Sequence, residues 1–295
     1  MVKTLKFLFG VQKNTIKKIL LSATFIAIIL SAIILVSQSL NQQNKKIKIL
    51  IVAGHEPNAG GADEFKAIKE RDLNLQLSNI LKDMLSTNPN LEIITARDSS
   101  GWNTDLKNYI ETNSTTIMEW ASAMKNKMMG KVDAGKIELI DPNMKHNNAT
   151  TNAILYLFGT NKWIEKNNID LVLHIHFNSN PKINGKPVFR GYCMYIPEKQ
   201  YSNSTSSRIF ANYLNTEISE IEKPSNMLQE KDLIIEDQQL IATGVYNTLK
   251  IPVVVVEYAY IYEPMMLSSS TRNIFIEKAA SSTAIAINNY LSRNK

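Results

Sequence analysis

The chain has 295 residues, 44% hydrophobic and 20% charged, which excludes a disordered or collagen-like protein and points to a globular fold. The formal net charge of +6 comes from 33 Lys+Arg against 27 Asp+Glu. Lys3, Lys6, Lys13, Lys17 and Lys18 all precede the first acidic residue; the remainder is nearly balanced and carries no nucleic-acid-binding signature. A single cysteine, Cys193, excludes a disulfide framework within the chain and a thiolate metal cluster.

Residues 1–18 form a basic start, and no charge occurs from Ile19 to Asn44. The stretch ILLSATFIAIILSAIILV is long enough to cross most of a bilayer at about 1.5 Å per residue. Residues 19–40 are therefore expected to form one transmembrane signal-anchor, with the lysines keeping the N-terminus in the cytoplasm. The protein would then be a single-pass cell-membrane protein with its domain extracytoplasmic, in the periplasm or on the outer surface. The competitor is a cleaved signal peptide, for which Ser37-Gln38-Ser39 offers small residues at the required spacing. Residues 41–46 (NQQNKK) read as a polar linker, and residues 47–295 as one folded domain.

That domain opens with the strand Ile47–Ala53 (IKILIVA), which runs into a loop of turn-forming residues, GHEPNAGGA. Leu73, Leu77, Ile80, Leu81 and Met84 recur at helical spacing from about Lys69, and Asn88-Pro89-Asn90 stops the helix. Leu91–Ala96 is the next strand, giving the β-loop-α-β order of a parallel α/β sheet. Residues 98–146 read as an insertion or lid, in which ASAMKNKMMG is helical and amphipathic; an autoinhibitory role is one hypothesis for it. A helix is expected over Asn152–Lys166, with Ile154, Leu155, Leu157 and Phe158 inward. It leads to the strand LVLHIHFN (Leu171–Asn178). Phe189–Ile196 reads as a strand, Ser206–Ile218 and Asp237–Leu249 as helices, Pro252–Glu257 (PVVVVE) as the last strand and Asn273–Leu291 as the closing helix. The fold class is α/β, with a mostly parallel or mixed central sheet.

Three apolar runs each deliver an ionisable residue at the carboxyl end, where open α/β sheets build their sites. These are His55 after the first strand, His176 at the end of LVLHIHFN, and Glu257 at the end of PVVVVE. Glu70 opens the first helix, where a carboxylate also suits the helix dipole. Side chains alternate along a strand, so His174 and His176 share a face. Two imidazoles and one carboxylate make a common hydrolytic zinc set with a position left for water. Zinc lowers the pKa of that water and polarises a carbonyl, and a further carboxylate can pass the water's proton to the leaving amine. The spacing is dispersed and is not the short HExxH motif.

These motifs resemble the catalytic domain of zinc-dependent N-acetylmuramoyl-L-alanine amidases, the amidase type 3 family. That family ends a first strand in Gly-His, matched by Gly54-His55. Its helix-opening glutamate is matched by Glu70 in KERDLNLQLSNIL. Its Ser-Ile-His-x-Asn strand end is matched by His174-Ile175-His176-Phe177-Asn178, with histidine in the serine position. Its Pro-x-x-Leu-Val-Glu strand is matched by Pro252–Glu257. The resemblance runs over about Ile47 to Leu291. It implies a three-layer α/β sandwich and zinc (Zn2+) held by His55, Glu70 and His176, with Glu257 as catalytic acid/base. The implied reaction is hydrolysis of the peptidoglycan amide between N-acetylmuramic acid and L-alanine.

The chain departs from the family in Glu56-Pro57 after the first histidine, in the unclear Arg-x-x-x-Ala-Asn segment, and in the length of 98–146. These departures keep two alternatives open: another zinc amide or peptide hydrolase on the same scaffold, and a non-catalytic wall-binding relative. His174, Asn178, Glu56 and Arg190 are further candidates, for contact with the ligands or with substrate, and His174 also as a substitute ligand. His146 reads as a solvated loop residue. Tyr258, Tyr260 and Tyr262 read either as a sugar-stacking row or as a packed aromatic row. No GxSxG elbow supports a serine nucleophile.

Overall fold

Isoleucine, leucine and valine dominate the central strands of this protein, and those strands bury both faces, as a sheet covered by helices on two sides requires. The computed structural model describes residue 31 and residues 46–57, 68–141, 149–179 and 188–293. The basic start, the apolar stretch 19–40 apart from residue 31, nearly all of the linker, Gly60-Gly61, His146 and the turn at Asn184-Gly185 lie outside the described residues. Among the described residues no helix is long and apolar enough to cross a membrane.

Residues Ile47–Lys295 form one compact unit. In chain order its elements begin with β1 (Ile47–Ala53), α1 (Glu70–Ser86), β2 (Leu91–Thr95) and the short strands β3 (Arg97–Asp98) and β4 (Gly101–Trp102). Helices α2 (Thr104–Thr112), α3 (Ser114–Asp133) and α4 (Thr151–Lys166) follow, then β5 (Leu171–Asn178) and β6 (Cys193–Pro197). The chain continues through α5 (Ser204–Ile218), β7 (Ile234–Asp237), β8 (Val253–Tyr260), α6 (Pro264–Leu267) and α7 (Ser269–Ser292). The sheet order is β2-β1-β5-β8-β6-β7. The first four of these strands run parallel, while β6 pairs antiparallel with β8 and parallel with β7. The fold is a three-layer α/β sandwich around a mixed sheet.

One sheet face packs Ile49, Ile51, Leu173, Ile175, Val254 and Val256 against α1, α5 and α7. The other packs Leu50, Val52, Val172 and Val253 against α2, α3 and α4. Full burial of such side chains contributes about 1.5–3 kcal/mol each. Leu106, Ile110 and Ile117 are fully buried in this second layer. The helices Thr104–Thr112 and Ser114–Asp133, within the stretch read from sequence as an insertion or lid, therefore form part of the core: their apolar stripes cover a sheet face that would otherwise meet water.

Two further expectations are corrected. The segment Asp237–Leu249 is not an α-helix; it makes two 3-10 turns, Ile241–Thr243 and Val245–Asn247. Gly244 at φ +99 and Tyr246 and Asn247 at φ +58 lie outside the right-handed helical region and break the run. The strand expected from Phe189 starts only at Cys193. Before it, the Arg190 N–H donates to Asn226 Oδ1 and Tyr192 bridges to Pro224, so this stretch pairs with a loop.

Candidate metal centre and active site

β1, β5 and β8 lie side by side in the sheet, and His55, His176 and Glu257 lie in or just after their carboxyl-terminal halves. His176 of β5 and Glu257 of β8 are register partners, so they share a face. Ala53, the last residue of β1, pairs with Ile175, which places Gly54-His55 next to His176. Glu70 opens α1 and is 3% exposed.

These residues converge. Glu70 Oε2 lies 2.7 Å from His55 Nε2 and Glu70 Oε1 lies 3.0 Å from His176 Nδ1. One ligand atom from each of the three residues falls within 4.8 Å of the others. The His55 and His176 rings meet edge to face at 5.2 Å and 70°. Phe177 N–H donates to Glu70 Oε1 at 3.3 Å, and Asn74 Nδ2 reaches the same oxygen at 3.4 Å. Burial pushes the Glu70 carboxyl up, but contact with His176 and His55 outweighs it and holds the group below its ordinary range.

The donor set fits a zinc ion. His55 Nε2 is buried and close to Glu70 Oε2, yet the pair lacks hydrogen-bond alignment, so among the described residues this nitrogen has no hydrogen-bond partner. An unpartnered imidazole nitrogen beside a carboxylate oxygen and a second imidazole is a donor set of the kind that holds zinc. His55 reaches this position through a left-handed backbone, φ +68, which costs roughly 1–2 kcal/mol for a residue with a Cβ.

Glu257 is half-buried, and its Oε2 is buried without a hydrogen-bond partner among the described residues. Burial, with the nearby negative charges of Glu70 and Glu230, raises its pKa well above the usual carboxylate range. A buried carboxyl with a raised pKa beside His176 is suited to proton exchange.

His174 lies one step below on the same face, between Val52 and Val255, and is 2% exposed. It stands apart from the three-residue group, and its Nε2 is buried without a partner among the described residues. Burial and then the neighbouring His176 lower its pKa to about 3, so its ring is neutral. Asn178 donates to Glu230 Oε1 at 2.7 Å. Glu56 accepts from Asn152 Nδ2 at 2.7 Å, at the start of α4. Arg190 is exposed. Tyr258, Tyr260 and Tyr262 are buried; Tyr258 OH bonds to Thr283 Oγ1 at 2.7 Å, so this is a packed row and not a stacking platform.

Sequence reasoning missed two residues. Glu230, fully buried, accepts from Asn178, Tyr195, Ser225 and Tyr260. Arg97, also buried, donates to three backbone carbonyls around His55 and Glu70. Glu230 sits in an irregular loop with no motif around it. Arg97 was passed over as the residue after a strand.

The N-acetylmuramoyl-L-alanine amidase family model matches residues 49–289. The chain belongs to the N-acetylmuramoyl-L-alanine amidase family. Solved structures share this amidase fold. The CwlV amidase catalytic domain from Bacillus (Paenibacillus) polymyxa var. colistinus is 16% identical, with a TM-score of 0.51, over 83% of this chain and 98% of that one. The Clostridioides difficile CwlD amidase, solved in complex with the GerS lipoprotein, is 17% identical, with a TM-score of 0.54, over 84% and 100%. The Nostoc punctiforme amidase AmiC2 is 17% identical, with a TM-score of 0.51, over 85% and 99%. Comparison with curated proteins gives no match. The amidase-family match spans both sides of the centre, from β1 before His55 to α7 after Glu257.

Proposed function

We propose that this protein hydrolyses the amide between N-acetylmuramic acid and L-alanine in peptidoglycan, with zinc held by His55, Glu70 and His176. The observation that carries the reading is the convergence of these three side chains beside Glu257, in a chain of this family. Zinc bound there would bring water toward ionisation at neutral pH and polarise the amide carbonyl.

The chain's own residues do the rest. The Glu70 carboxylate, flanked by two imidazoles, supplies the negative ligand and resists protonation. Glu257 takes a proton as water adds to the carbonyl carbon, then gives it to the amide nitrogen as the C–N bond breaks. The products are a lactyl carboxylate on the sugar and a free amino terminus on L-alanine.

The charge-free stretch 19–40 after five lysines supports a membrane anchor that leaves the domain outside the cytoplasm, where peptidoglycan lies. The complex of CwlD with a lipoprotein makes a lipoprotein partner worth testing for this chain.

The test is digestion of purified sacculi by the zinc-supplemented protein, followed by end-group analysis. New L-alanine amino termini on the stem peptides support the proposal. Cleavage at another peptide bond, or none, refutes it.

A further inference from the structure

Two of the three candidate ligands are attached to backbone that one buried cation grips. The Arg97 guanidinium, 2% exposed, donates through Nε to Ala53 O at 2.9 Å and through Nη2 to Gly54 O and to Arg71 O, each at 2.7 Å. Gly54 O belongs to the peptide immediately before His55. Arg71 O belongs to the residue immediately after Glu70. Asn74 Nδ2 donates to the same Gly54 oxygen at 3.3 Å and also reaches Glu70 Oε1.

We propose that Arg97, with Asn74 as its partner at the Gly54 carbonyl, is a positioning residue that holds His55 and Glu70 in metal-binding geometry. The inference rests on the zinc reading above. The peptide that Arg97 fixes is the one from which His55 turns into its left-handed conformation, φ +68. Rotation of that peptide would relieve the strain and swing the imidazole away; two donors on one carbonyl oppose it. Through Arg71 O the same guanidinium ties the first turn of α1, and so Glu70, to the end of β1. A fixed planar fork suits three converging acceptors, which a lysine ammonium on a flexible stem cannot match in the same geometry. Burial lowers the Arg97 pKa to about 10, so the group stays charged at neutral pH. A buried cation needs partners, and these carbonyls supply them.

The experiment measures zinc affinity by competition with a chromogenic chelator for wild type, Arg97→Lys and Asn74→Ser, each checked for folding by circular dichroism. The Co2+-substituted proteins are compared by visible absorption. Folded Arg97→Lys is expected to bind zinc about tenfold to hundredfold more weakly, with an altered Co2+ spectrum; Asn74→Ser moves the same way by a smaller factor. A purely structural role would lower the melting temperature and leave the affinity and spectrum of the folded protein unchanged. If Arg97→Lys does not fold, Asn74→Ser decides by the same two readouts. Wild-type affinity in the folded variants overturns this inference and leaves the zinc reading standing. Failure of wild type to bind zinc overturns both.

Discussion

The imidazole of His176 fills the space that a side chain on Gly54 would need: a Cβ built there would lie 2.6 Å from Nδ1. The contact spans two adjacent strands and brings the second histidine against the residue before the first. Gly54→Ala is therefore expected to push the His176 ring out of place while the sheet below is retained. Zinc affinity should fall at least about tenfold, the scale seen when ligand-orienting contacts are lost. Titration with a competing chelator checks this.

Glu257 should separate binding from chemistry. Glu257→Gln keeps the shape and loses the proton-transfer capacity of a carboxyl that is not among the three ligand residues. Zinc content should stay at the wild-type level while the rate of amide cleavage falls by about 100-fold or more. Metal analysis and end-group release on the same preparation give both numbers.

His174 gives a pH signature. Its folded-state pKa, lowered to about 3 from 6.5, means the unfolded chain takes up its proton first as pH falls. Stability from this residue is present above pH 6.5 and is lost as pH falls towards 3. Between pH 7 and pH 5 the loss is about 2 kcal/mol by proton linkage. Urea unfolding of the chelator-treated protein at both pH values should show that drop in wild type and a correspondingly smaller one in His174→Ser.

Much of this architecture was readable from periodicity. IKILIVA, LVLHIHFN and PVVVVE are continuous apolar runs too short for ordinary helices, and they became β1, β5 and most of β8. The leucine stripe from Leu73 set α1. The strand β7, Ile234–Asp237, escaped notice because four residues at a sheet edge leave no period to read. Asp237–Leu249 looked helical because its apolar residues have helical spacing, but backbone geometry at Gly244 and Tyr246 overrides the pattern. His55, Glu70, His176 and Glu257 could be named because Glu70 opens a helix and the other three follow directly on apolar runs in the sequence. Arg97 and Glu230 could not, since all of Arg97's partners and most of Glu230's lie tens of residues away in sequence and only the fold brings them together.

Glu230 tests how that second buried carboxylate is held. Glu230→Ala removes the acceptor that Asn178, Tyr195, Ser225 and Tyr260 share, and each hydrogen bond lost contributes on the order of 1 kcal/mol. The expected destabilisation is on the order of a few kcal/mol, from several hydrogen bonds lost together in a buried site. Glu230→Gln should lose much less, because hydroxyl groups can turn to accept from the new amide. Denaturant titration of the two variants ranks them; equal stability would contradict this assignment.

The most direct measurement is the zinc content of the purified domain, by mass spectrometry of the metal, for wild type and His176→Ala. The account predicts about one zinc per chain in wild type, as a His2Glu site holds, and near none in the variant. A wild-type protein that stays zinc-free after reconstitution, or a variant that keeps its zinc, would contradict it.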